Sequence, residues 1–180
     1  HNQLELLDQA LEYLEQKKLF KTVSPCGVQC GCPGSATQTI KRDHTQETKS
    51  CKKSDSRLCN WPIQLSLMNP DAPFFENANL LICADCVPFS YPNFQEDLLK
   101  DKILIMFCPK LDENLDIYIQ KLTHIFETKN IQSISIAHME VPCCSGVEII
   151  IKKALQNAQK NITVEDYTIT ISGDIVRKGE

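Results

Sequence analysis

Cysteine is the residue type with chemical potential here, ten of 180 residues. Five fall from residue 83 onward, as Cys83-Ala84-Asp85-Cys86, Cys108 and the vicinal pair Cys143-Cys144. The other five are Cys26, Cys30, Cys32, Cys51 and Cys59. A chain of this length can bury a core without disulfide staples. Its opening residues carry no signal-peptide pattern, so a cytoplasmic protein is expected. Dense cysteine in that setting points to metal or redox chemistry. Thiolates are soft ligands suited to iron–sulfur clusters and to zinc, and ligand type alone does not separate the two. A third chemistry is dithiol–disulfide cycling at Cys83/Cys86 or Cys143/Cys144.

Something must bring these residues together. Leu80-Leu81-Ile82, Ile103-Leu104-Ile105-Met106-Phe107 and the run around Ile134, Ile136 and Ala137 are short apolar stretches suited to strands buried on both faces. Helical spacing follows two of them. With Asp112 as N-cap, Leu115, Tyr118, Ile119, Leu122, Ile125 and Phe126 mark one face. After a capping box at Ser145-Gly146-Val147-Glu148, Val147, Ile150, Ile151, Ala154 and Leu155 mark another. The alternation predicts an α/β fold, a mostly parallel sheet with flavodoxin- or Rossmann-like layering. Tyr167-Thr168-Ile169-Thr170-Ile171 is predicted as a last strand on the sheet edge, in a hairpin with Ile175 and Val176. Leu4, Leu7, Leu11 and Leu14 stripe an amphipathic helix within residues 1–22. Residues 23–77 read as a cysteine-rich irregular segment, and 78–180 as the α/β domain.

In such a sheet Cys83 and Cys108 end two strands, and Cys143 and Cys144 follow a third. The carboxyl ends of strands form the crevice where open α/β sheets bind ligands. The main site is therefore predicted from Cys83, Cys86, Cys108 and one of Cys143 and Cys144, because adjacent side chains diverge. Helix starts near Cys108 and Cys144 favour thiolate. Phe89, Tyr91 and Phe94 are expected to shield the site from water. A second site is predicted from Cys26, Cys30 and Cys32 with Cys51 or Cys59, where Gly27, Gly31 and Gly34 let the backbone wrap closely. His138, near the third strand's end, is expected to be a hydrogen-bonded core residue.

Several classes are excluded. The net charge of −4 and the lack of a long basic stripe argue against a nucleic-acid binder. No apolar run approaches the roughly 18 residues of a membrane span. Gly-x-Gly-x-x-Gly and phosphate-loop patterns are missing, with only six glycines in all. The polar run from Lys41 to Arg57 reads as a solvated loop; the alternative is a basic surface for an acidic redox partner.

Five segments occur in order: Cys-Gly-Cys-Pro-Gly-Ser at 30–35, Trp-Pro-Ile-Gln-Leu at 61–65, Ala-Asp-Cys-Val-Pro-Phe at 84–89, Cys-Pro-Lys-Leu-Asp at 108–112 and Met-Glu-Val-Pro-Cys-Cys at 139–144. Together they resemble the C-terminal cysteine-rich region of a family of anaerobe proteins described as 4Fe-4S ferredoxin or iron–sulfur-binding proteins. The upstream two-cluster ferredoxin module of that family has no counterpart in this sequence. The resemblance implies one or two [4Fe–4S] clusters, electron transfer in an anaerobic redox system, and a redox protein or an upstream ferredoxin domain as partner. The alternatives are a zinc-stabilised interaction module and a thiol–disulfide redox enzyme.

Overall fold

The structure is a computed structural model in which residues 38–39 and 55–177 are described. The expected N-terminal helix and Cys26, Cys30, Cys32 and Cys51 lie outside the described residues. Two short strands, β1 (Gln38–Thr39) and β2 (Asn60–Trp61), pair antiparallel. The main sheet is built from β3 (Asn79–Ala84), β4 (Ile103–Phe107), β5 (Ser133–Met139), β6 (Val164–Ile169) and β7 (Ile175–Arg177).

The apolar runs become interior strands because both of their faces can be covered. In β3 every residue after Asn79 is buried. Its neighbours are β4 on one side and β5 on the other, both parallel to it, with Ile82 level with Ile105 and Ile136. β6 continues the parallel sheet beside β5, and β7 closes it antiparallel, giving the order β4-β3-β5-β6-β7. The last parallel strand is therefore Val164–Ile169, earlier than expected, and it is not an edge. The expected hairpin forms, and its second arm β7 takes the edge. The burial of β6 alternates weakly at first, so its start carries little apolar signal.

Helices fill the crossovers. A single turn, α1 (Val87–Ser90), and a π-helical turn at Phe94–Leu99 lead from β3 to β4. α2 (Leu115–Thr128) leads from β4 to β5, and α3 (Gly146–Asn157) from β5 to β6. α2 and α3 pack against each other. The predicted apolar faces are the buried ones: Tyr118, Ile119, Leu122, Ile125 and Phe126 on α2, Val147, Ile150, Ile151 and Ala154 on α3. Phe107 of β4 meets Tyr118 edge-on at 5.5 Å. Such a pair adds about 1 kcal/mol beyond its buried area.

The helix starts differ from expectation. The residue before α2 is Asn114, in the left-handed region at φ 60°, while Asp112 has other partners. Ser145 makes no capping bond, because its hydroxyl donates back to the Pro142 carbonyl at 2.8 Å. A boundary at residue 77 also has no physical basis, since Leu65, Met68, Phe74 and Phe75 are part of the same core. The described residues 55–177 fall in one compact unit.

The segment after β2 closes the free edge of β4. Met106 N–H donates to Ile63 O at 2.7 Å, and Leu65 N–H donates to Met106 O at 2.9 Å. Asn60 is fully buried and acts as a substitute strand: its Nδ2 donates to the Leu104 and Pro62 carbonyls, and Leu104 N–H donates to its Oδ1 at 2.9 Å. Buried amides without such partners cost about 1–3 kcal/mol each. Lys121 ties α2 to the following turn, donating to the carbonyls of Leu65, Ser66 and Met68 at 2.7–3.1 Å. Arg57, at the end of the supposedly solvated basic run, is bound to Glu96 through Nε and Nη2.

Candidate functional site

The sheet order locates the site. β4 lies to one side of β3, whereas β5 and β6 lie to the other. The loops that leave the carboxyl ends of β3 and β5 therefore diverge, and the gap between them is the topological switch point where such sheets bind ligands. One wall is Asp85-Cys86 and α1. The other is the turn Pro142–Ser145 before α3.

The thiols fall into three environments. Cys83 is the penultimate residue of β3, level with Met106 and Ala137 and fully buried. Its Sγ–H donates to the Ala84 carbonyl at 3.3 Å. Burial pushes this thiol well up from its ordinary range, and the nearby Asp85, Cys144 and Cys86 add to the effect. The expectation that its strand-end position makes it a ready thiolate ligand meets this obstacle: in the closed sheet Cys83 is a neutral core thiol. Cys144 is also buried, and burial raises it too; a backbone hydrogen bond from Met139 opposes that, while Cys143 reinforces it. Cys86 and Cys143 are exposed, one on each wall.

Cys108 is half-buried at the end of β4. Its N–H donates to Asp112 Oδ2 at 3.0 Å. The following residue, Pro109, touches the start of α3: a Cβ placed on Gly146 would stand 2.8 Å from Pro109 Cβ. That contact brings the Cys108 turn against the wall that carries Cys143 and Cys144. Cys59 does not join them. It is half-buried beside β2, its Sγ–H directed at the Arg57 carbonyl, and the neighbouring Asn60 meets β4 at Leu104. Its expected partners Cys26, Cys30 and Cys32, and the alternative fourth ligand Cys51, lie outside the described residues.

The surroundings are polar in part. Gln64 Nε2 donates to Asp85 Oδ1 at 3.0 Å, and Glu140 Oε1 accepts from Ile171 N–H at 2.8 Å. The β6–β7 turn leans on the end of α1: at Gly173, with φ 94°, an added Cβ would stand a tight 3.0 Å from the Ser90 carbonyl oxygen. His138 is the core histidine expected, with Nδ1 at 3.0 Å from Met139 O and Nε2 at 3.1 Å from Asp166 Oδ1. Of the three aromatic residues expected to shield the thiols, Tyr91 and Phe94 are buried in the core, but Phe89 is 92% exposed. Leu111, Ile149 and Ile171 are exposed large apolar residues near the same strand ends.

The family described as a Rossmann-like domain matches residues 72–180. The chain belongs to that family. A protein of Archaeoglobus fulgidus described as uncharacterized is 26% identical over 115 residues, 64% of this chain and 80% of that protein. No solved structure matches.

Rossmann-like folds that take dinucleotides do so through a glycine-rich first turn opening a helix. In this Rossmann-like domain the equivalent turn reads Asp85-Cys86-Val87-Pro88. It contains no glycine, Pro88 supplies no N–H, and α1 is a single turn. These residues do not fit a pyrophosphate. A soft metal centre is a different case. The donor set has the right chemistry, since Cys83, Cys86 and Cys144 lie close enough to influence one another and Cys143 adjoins them. The side chains as they stand do not close a cage: among the described residues no group of three or more His, Cys, Asp or Glu is arranged to hold a metal ion. Because Cys86 and Cys143 are exposed, their rotamers can change on the nanosecond scale without disturbing the core.

Two contributors escaped the sequence. Asp112 looked like a helix cap, although its place four residues after Cys108, past a proline, is the spacing of a closed turn. Gly146 looked like an ordinary helix-start residue; only the fold puts Pro109 against it.

Proposed function

We propose that this Rossmann-like domain is an iron–sulfur cluster-binding protein that transfers electrons, with its cluster at the switch point. The supporting observation is convergence: Cys83 and Cys86 from the first strand-end loop and Cys143 and Cys144 from the third approach one crevice although positions 86 and 143 lie 57 apart in the chain. Cys108 stands at its border through the Pro109–Gly146 contact. An ordinary distribution of buried structural thiols would not gather at the ligand-binding end of the sheet. The ligands favoured are Cys86, Cys108 and the exposed Cys143, with the buried Cys83 and Cys144 beneath them as packing. A bound cluster would supply a one-electron redox couple, and the exchange with a redox protein would take place at this end of the sheet.

A second reading is a dithiol–disulfide centre. It is favoured by the adjacency of Cys143 and Cys144, with Cys143 raising the Cys144 thiol further, and by the exposure of Cys143.

The test is iron and acid-labile sulfide per chain, measured on protein purified without oxygen. About four irons with equal sulfide are expected in wild type, with loss of most iron in Cys86→Ser and Cys143→Ser and retention in Cys83→Ala. Wild-type protein without iron or sulfide sinks the cluster reading. If that protein still exchanges with small disulfides, the dithiol reading replaces it. Stoichiometric zinc without sulfide makes the site structural.

A further inference from the structure

We propose that Asp112 is a positioning residue for Cys108, locking the turn that carries this thiol; its relevance to a bound cluster rests on the reading above. Cys108 N–H donates to Asp112 Oδ2 at 3.0 Å, and Asp112 N–H donates to the Cys108 carbonyl at 3.0 Å. The turn Cys108-Pro109-Lys110-Leu111-Asp112 is thus closed twice, once through a side chain and once through the backbone. Tyr118 O–H donates to the same Oδ2 at 3.1 Å, which fastens the carboxylate to α2. Tyr118 is itself buried and held edge-on against Phe107, the residue just before Cys108.

On its other side the turn meets Gly146 through Pro109. The Cys108 turn is therefore held by a carboxylate that Tyr118 fastens to α2, and its Pro109 lies against Gly146 at the start of α3. Hydrogen bonds to an ionised carboxylate are about twice as strong as neutral ones. The carboxylate is also free of the task that the sequence suggested for it, because Asn114 is the residue that begins α2. What Asp112 fixes is the backbone of a half-buried cysteine. A thiol held this way needs no ordering of its loop when a ligand arrives, which is how a supporting residue raises the affinity of a site.

The prediction is selectivity. Each thiol of the reduced full chain is alkylated with iodoacetamide, and the rates at Cys86, Cys108 and Cys143 are followed by peptide mass spectrometry. Loss of the carboxylate in Asp112→Ala opens the turn more often, so Cys108 should react about tenfold faster, with Cys86 and Cys143 unchanged. Asp112→Asn, which is isosteric and still accepts from Cys108 N–H, should restore most of the protection. A Cys108 rate that does not change, or three rates that rise together, overturns the proposal. If Asp112→Ala does not fold, Tyr118→Phe decides the matter through the same readout, with a selective rise of about threefold at Cys108 expected for one lost hydrogen bond and no selective rise counting against it. Iron-free wild type would end the cluster reading yet leave this result standing, because alkylation needs no metal.

Discussion

Cys83 and Cys86 are three residues apart, yet one is sealed between β4 and β5 and the other stands in solvent. The contrast divides the molecule. The strand bodies are filled by side chains chosen for shape, among them Ile82, Ile105 and Phe107. The loops at the carboxyl ends carry exposed thiols, carboxylates in specific hydrogen bonds and apolar residues that cover nothing, such as Phe89. The body supplies position, and the rim supplies chemistry.

The largest expected effect tests that division directly. Phe126, fully buried on α2, should cost about 3–5 kcal/mol as Phe126→Ala in urea unfolding. The exposed Phe89 should cost no more than about 0.5 kcal/mol as Phe89→Ala. Equal losses would mean that the rim is as much core as the body.

A smaller effect separates the thiols by pH. The Cys83 value is raised in the folded protein, by burial first and then by the nearby charges of Asp85, Cys144 and Cys86. In the unfolded chain the group titrates near its ordinary value of about 8.5. Below that pH both states hold the proton and no stability is lost. Above it the unfolded chain releases its proton first, so stability should fall as pH rises, by up to about 1.4 kcal/mol per pH unit. Cys83→Ala should flatten this decline above pH ~8.5. An unchanged slope would show that Cys83 is open to solvent and belongs with the rim.

The smallest effect is on the contact that joins two rim loops. Replacing a helix-start glycine by alanine ordinarily stabilises, by up to about 1 kcal/mol. Gly146→Ala should reverse the sign and lose about 1 kcal/mol, because the new Cβ meets Pro109. A gain in thermal stability would show that the Cys108 turn moves aside freely.

The body was far more legible in the sequence than the rim. The run Ile103–Phe107 and the α2 face through Leu122 and Phe126 are patterns of period, and burial on both sides of a strand or one side of a helix enforces them. The order of strands was not written there, but their parallel character was, through the alternation with helices. At the rim, residue type was legible and partnership was not. Asp112 has a cap's composition, but Tyr118 and the Cys108 N–H compete for its carboxylate and win. Ser145 satisfies Pro142 in place of its own helix. The strand-end placement of the cysteines followed from the apolar runs. Their depth did not, because the step from sealed to exposed falls within three residues, finer than strand ends can be read from a pattern.

The crevice also has an order of birth. Its first wall is made when residue 86 leaves the ribosome and its second only with residue 143, so at ordinary synthesis rates the gap is roughly 3–12 s. The turn at Gly173, which leans on Ser90, comes later still. Through that interval β3 has no β5 beside it, so the flank of Cys83 that Ala137 covers stays open. Among the described cysteines, Cys83 is thus sealed in the finished sheet yet made well before the strand that seals it, and before Cys143.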